Sequence, residues 1–223
     1  MEIVMERRVV QCRPTRCTAA AADARDRISQ LPIEILDHIM GLMPIYGAAK
    51  TAVLSKLWRD VWSSLSRLCF DESFFTYFDK KCPQEEASEC IRKSRCFYAI
   101  NKILLKHKGS IQKFVLLFPC RGKHTVPSRS YDMDQWLLLV TRWGVEGIHL
   151  LFGHKQYKLP DCIFSCSTLK RLHLHALLVE PLNSPRALPN LTTLCFEDVI
   201  FVPTNPTNYA LDVPKLENLS FSH

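Results

Sequence analysis

At 223 residues the chain has room for one ordinary domain and a smaller companion. Its 47% hydrophobic and 23% charged residues belong to a folded chain, and no run of about 18 apolar residues is present to cross a membrane. The net charge of +7 is spread thinly: +2 in residues 1–25, zero in 26–66, +3 in 67–110 and +2 in 111–223. A nucleic-acid binder concentrates its lysines and arginines on one surface, so this distribution argues against one.

Residues 1–25 mix five arginines with an alanine run and show no clean apolar face. They read as a disordered leader, although an arginine-rich, acid-poor start is also the composition of a transit peptide. From Asp26 the pattern changes. Pro32 suits the first turn of a helix, where its missing N–H costs nothing. Ile35, Leu36, Ile39, Leu42 and Met43 then form one stripe on about three helical turns, and Pro44 stops it. A second helical run, Ala48 to Leu54, leads through Ser55 into a third carrying Leu57, Trp58, Val61, Trp62 and Leu65. Three helices this short hold too little apolar surface for a secure core, so the unit is expected to rest on a neighbour or seat in a partner's groove.

Leu65, Leu68 and Phe70 suggest a strand that attaches this unit to the rest of the chain. Residues 79–95 are polar and lead into a helix with Phe97, Ile100 and Leu104 on its buried face, ending near Gly109. Residues 67–110 are thus expected to be a linker strand and helix capping the next unit. From Ile111 the chain repeats: Ile111-x-x-Phe114-x-Leu116, Val145-x-x-Ile148-x-Leu150, Leu169-x-x-Leu172-x-Leu174, Leu191-x-x-Leu194-x-Phe196 and Leu216-x-x-Leu219-x-Phe221. The starts are 34, 24, 22 and 25 residues apart. That is leucine-rich-repeat spacing, and the first interval is lengthened by the polar loop 119–134. Alternation within each block means strand, with these residues turned to the core. Asp132 is expected to cap a helix through Trp136, Leu137 and Val140, ended by Gly144. The array stops at Ser222-His223 with no polar cap, so 111–223 reads as about five repeats whose last one frays or is covered by a partner.

The ten cysteines are scattered, with no C-x-x-C and no secretory signal ahead of them. Reduced thiols in the cytoplasm or nucleus are the expectation. Cys162, Cys166, His173 and His175 have tolerable spacing for a metal, but the two histidines fall on a strand, and half-buried thiols beside exposed imidazoles are the plainer reading. Cys166 with His173 as a nucleophile pair fails on strand alternation. No Gly-rich phosphate loop, H-E-x-x-H or G-x-S-x-G occurs. No catalytic residue, metal or cofactor is expected.

The opening DRISQLPIEIL and the closing TAVLSKLWRDVW resemble the two ends of the F-box in plant F-box/leucine-rich-repeat proteins, including the FBD-type subfamily. KLPDCIFSCSTLKRLHL and LPNLTTLCFEDVIF are similar to that family's repeats, so the resemblance covers residues 26–223. Three features depart from it: Gly41 where the family prefers Ser, Leu57 where it has a basic residue, and LDVPKLENLSF without the common Cys-Pro pair. The resemblance implies an α+β architecture, a three-helix F-box over 26–66 followed by a short α/β solenoid, as in a short or truncated member. It implies a non-catalytic substrate receptor that binds a Skp-type adaptor, and a cullin scaffold through it. Leu31, Pro32, Ile35, Leu36 and Ile39 are the expected adaptor-facing residues, helped by Leu54, Trp58 and Trp62. A protein substrate is expected on the concave sheet face at His149, Arg171, His173, His175 and Glu197. Two other readings stay open: an F-box protein that occupies adaptor without substrate, and a repeat scaffold for nucleic acid or a small ligand.

Overall fold

The computed structural model describes residues 27–80, 89–118, 130–153, 155–180, 186–202 and 211–222; the expected leader lies outside them. Helices α1 (Ile33–Gly41), α2 (Ile45–Thr51) and α3 (Lys56–Ser63) come first, then strand β1 (Arg67–Phe70). Helices α4 (Glu72–Lys80) and α5 (Glu89–Lys106) lead to β2 (Lys113–Phe118), α6 (Ser130–Arg142) and β3 (Gly147–Phe152). A 3-10 helix at Asp161–Ser165 precedes β4 (Arg171–His175), β5 (Leu178–Val179) and β6 (Arg186–Ala187). β7 (Thr193–Glu197), β8 (Ile200–Phe201), β9 (Leu211–Asp212) and β10 (Asn218–Ser222) complete the order. The class is α+β, as expected.

Six strands form one parallel sheet in the order β1-β2-β3-β4-β7-β10. The repeats are in phase, so equivalent residues pair across every ladder. Leu68, Phe114, Ile148, Leu172, Leu194 and Leu219 make one apolar row, and Phe70, Leu116, Leu150, Leu174, Phe196 and Phe221 make a second. Up to β7 both rows are buried, in one core cluster that also holds Leu36, Met40, Ala48 and Val61 of the first three helices. Those helices therefore share the sheet's core rather than owning one. β5 pairs with β8 and β6 with β9, which carries the repeat into the connections. The corner after β4 and the corner after β7 both turn through the left-handed region, at Ala176 and Asp198 (φ 53° each).

Several local expectations are corrected. Pro44 does more than stop α1: its carbonyl accepts from Gly47 and Ala48, so α2 starts at Ile45 instead of Ala48 and ends at Thr51. α6 begins at Ser130, which places Asp132 inside the first turn rather than at the cap and makes residues 130–134 helix instead of loop. α4 was not foreseen; Phe74 and Phe75 are its buried residues. Gly144 does end α6, with φ +72°.

The join between helices and sheet is made by backbone. Lys108 N–H donates to the Ser63 carbonyl (2.7 Å) and Gln112 N–H to the Ser66 carbonyl (2.8 Å). Asp37 accepts from the Ser66 backbone at 2.8 Å and also from its hydroxyl. Gly109 sits so close that a Cβ there would lie 2.8 Å from the Ser64 carbonyl oxygen. Backbone on both sides cannot yield cheaply, so Gly109→Ala is expected to destabilise the chain by about 1–3 kcal/mol. Chemical denaturation checks it; an unchanged midpoint would show that the join is loose.

β10 has a neighbour on one side only, and Leu219 and Phe221 remain 54% and 63% exposed. Its amides are expected to exchange with solvent well before those of β4, which is flanked on both sides. Equal protection of the two strands in a hydrogen-exchange experiment would contradict this.

Candidate functional site

Two surfaces carry the residues singled out from sequence. The first is the outer edge of the three-helix unit. Pro32 is the N-cap of α1, its carbonyl accepting from Ile35 and Leu36. This start turns Leu31 (38% exposed) and Ile35 (47%) outward and Leu36 (0%) into the core with Met40. Leu36 is therefore a support of the stripe, not part of its open face, and Ile39 is half-buried. Leu54, just after α2, is 70% exposed. Trp58 and Trp62 are partly buried against the core, held by α3, whose first turn is capped by Ser55 accepting from Trp58 N–H. Leu42, a member of the stripe but not one of the expected adaptor-facing residues, is exposed as well, and sequence reasoning missed Ile28, Ile33 and Val53 on the described surface. Only their side-chain type hinted at them, because residues off the main stripe lack a periodic signal. Gly41 also has a purpose: a Cβ there would lie 3.3 Å from Arg67 Cδ, so the glycine makes room for the arginine stem.

A cleft of about 470 Å³ adjoins this edge and shares Val53 and Trp62 with it. Its wall contains Tyr46 and Tyr77, stacked at 4.4 Å and 7°, with the Lys50 ammonium over both rings.

The second surface is the sheet face turned away from the apolar rows. Pairing sorts its residues into three rungs. The first holds Arg67, Lys113, Gly147, Arg171, Thr193 and Asn218; the second Cys69, Val115, His149, His173, Cys195 and Ser220. Leu117, Leu151, His175, Glu197 and Ser222 form the third. His149, Arg171, His173, His175 and Glu197 thus do come together on adjacent strands. The imidazoles of His149 and His173 are 5.5 Å apart. Burial, followed by the charges of His173 and Lys113, holds His149 below the ordinary histidine value, so it is neutral at pH 7. The histidines are half-buried, less open than the sequence suggested. Cys195 donates to Glu197 Oε1 at 3.5 Å.

Cys162 and Cys166 lie in and just after the 3-10 helix, whereas His173 and His175 are on the open strand face, so the four do not converge. Cys166 is buried, 3.7 Å from the Val145 carbonyl and 3.3 Å from the Thr168 hydroxyl. Cys69, Cys96, Cys162, Cys166 and Cys195 are free thiols. Burial pushes Cys69 up to about 11 and also raises Cys162, which keeps both protonated at neutral pH and poor as nucleophiles. No helix among the described residues is long and apolar enough to cross a membrane.

Residues 28–70 match the F-box domain family. The Arabidopsis thaliana F-box/FBD/LRR-repeat protein At1g13570 is 31% identical over 201 residues, covering 90% of this chain and 45% of that protein. The F-box/LRR-repeat proteins At3g59200 and At1g48400 of the same plant are 34% and 37% identical, covering 79% and 68% of the chain. Only 32% and 30% of their own lengths are matched, so the chain spans less than half of each of these three relatives. No solved structure matches it. With an F-box motif on its first three helices and in-phase leucine-rich strands after them, the chain belongs to the plant F-box/LRR-repeat family.

Proposed function

We propose that this protein is the substrate-receptor subunit of a Skp–cullin–F-box ubiquitin ligase. The reading rests on one observation: an uncovered apolar edge on α1 and the α2–α3 turn, within the segment that matches the F-box. Leu31, Pro32, Ile35 and Leu54 present that edge to a Skp-type adaptor, with Ile39, Trp58 and Trp62 behind them and Leu36 fixing α1 from the core side. The adaptor connects the chain to a cullin scaffold. The open sheet face, centred on His149, Arg171, His173, His175 and Glu197, holds a protein substrate. No residue of this chain takes part in bond chemistry. Its contribution is proximity: a substrate lysine held near an activated thioester reacts as if at high local concentration.

Reconstitution tests the reading. The purified chain mixed with a Skp-type adaptor is expected to elute as a single complex, and that complex to recruit a cullin. A chain that elutes free of adaptor at micromolar concentrations contradicts the proposal and leaves the repeat-scaffold reading. Adaptor binding without any partner retained on the sheet face gives the competitor reading instead.

A further inference from the structure

The cleft of about 470 Å³ beside the helical edge is put to no use by the adaptor-and-substrate reading. α4 packs against both α2 and α5, and the cleft opens between those two. Ile45 and Phe74 are buried and make its floor, while Trp62 and Phe78 add half-buried ring surface. The stacked Tyr46 and Tyr77 form one wall, and α5 presents the other from Ala99 to Lys106. That is two turns of helix, so the wall runs for about 10 Å. No carboxylate lines the cleft, but three exposed lysines do: Lys50, Lys102 and Lys106. None of the three forms an ion pair among the described residues, although Lys155, Lys158 and Lys170 on the repeats each have an acidic partner. The Lys50 ammonium is 5.7 Å from the Tyr46 ring centroid and 5.4 Å from that of Tyr77, so the ring faces hold it at the cleft. The Lys102 ammonium lies over Tyr98, outside the lining, and leaves only its stem to the cleft. Two cations, Lys50 on α2 and Lys106 on α5, thus flank an apolar hollow.

We propose that this cleft binds an acyl carboxylate, a medium-length alkyl chain that ends in one carboxylate group. The site is separate from the open sheet face and does not depend on the receptor reading. Its volume lies within the range of about 300–1,000 Å³ usual for small-molecule sites, and its floor and walls are apolar with charge at the rim. Each methylene laid against the rings and Ile103 leaves water and adds affinity. The carboxylate accepts charge-assisted hydrogen bonds from Lys50 and Lys106 at the mouth. The length of the α5 wall favours a flexible chain over a compact ring. An extended acidic peptide fits less well, because its backbone N–H and C=O groups need partners and helical walls have spent theirs on themselves. A partner helix, about 10–12 Å across, is too wide for a hollow of this volume.

Decanoate, kept below the concentration at which it forms micelles, is the probe, and titration calorimetry of the protein at pH 7 is the measurement. Saturable binding of one decanoate per chain is expected. Octanoate, two methylenes shorter, is expected to bind about tenfold more weakly, decanol about tenfold more weakly for want of the charge, and acetate not at all. Lys50→Gln and Lys106→Gln are each expected to weaken decanoate severalfold and to leave decanol unchanged. Lys158→Gln, on the repeats, is expected to change neither. Ala99→Phe puts a ring into the cleft and is expected to abolish binding of both. Should that variant fail to fold, the two lysine variants still decide, because Lys50 and Lys106 are exposed and support no core. Absence of saturable decanoate binding overturns the proposal, as do equal affinities for decanoate and decanol, or losses from Lys158→Gln as large as those from Lys50→Gln. Binding only to vesicles that contain decanoate, and not to the monomer, shows a membrane-surface contact instead and also overturns it. If decanoate does not bind while Lys50→Gln with Lys106→Gln weakens a Skp-type adaptor tenfold, the cleft belongs to the adaptor interface and the acyl site falls alone.

Discussion

Replacing Leu31 and Ile35 together by Asp is expected to lower affinity for a Skp-type adaptor by about 100-fold or more, near 2.7 kcal/mol, with little change in the chain's own stability. Both side chains are substantially exposed in the free protein, so removing them empties no core. Ile35 is the third residue of α1, where an introduced aspartate meets the favourable end of the helix dipole. At an interface the same two changes place desolvated charges where apolar contacts were. Leu31→Ala with Pro32→Ala, which removes apolar contact without introducing charge, is expected to cost about tenfold. Leu36→Ala provides the contrast. That residue is enclosed, so its loss should appear first as about 2–5 kcal/mol of stability and only secondarily as binding. Titration calorimetry and thermal denaturation on the same preparations separate the two effects.

The second large effect concerns the repeat itself. Leu150→Ala is expected to destabilise the chain by about 2–5 kcal/mol, a large part of the 5–15 kcal/mol that a domain possesses. Phe221→Ala is expected to cost about 1 kcal/mol or less. The two residues hold the same position in the L-x-x-L-x-L/F motif, in the same apolar row. Leu150 is fully buried between β2 and β4. Phe221 is 63% exposed, with Phe196 as its stacking partner 5.3 Å away. Urea denaturation of both variants checks the ratio. Similar costs would show that the outer row is covered in solution.

That pair also shows what a sequence can disclose. The in-phase repeats and the set of residues on the open face follow from spacing alone, because strand alternation fixes which way each side chain points. Neighbours decide how deeply a residue is buried, and they are remote in sequence. The motif is identical at Leu150 and Phe221, and only the flanking strands differ. Leu36 and Ile35 are likewise adjacent members of one helical stripe; which of them faces outward depends on where the sheet core lies. α4 escaped notice because its phenylalanines come directly after a strand and extend its apolar pattern. Gly41, where the family prefers Ser, is a seat for Arg67, a contact across 26 positions. The rung of Arg67, Lys113 and Arg171 came from ladder register rather than from any local motif.

The central claim is that one chain holds adaptor at its helical edge and substrate on its sheet face, and that the two sites are separate. The most direct test measures adaptor affinity and partner capture on three proteins of these 223 residues: the natural chain, Leu31→Asp with Ile35→Asp, and Arg171→Glu with His173→Ala. A crossed pattern is expected, in which the helical-edge variant loses adaptor and keeps its partner while the sheet-face variant keeps adaptor and loses its partner. Loss of both activities in either variant, or of neither in both, would contradict the account.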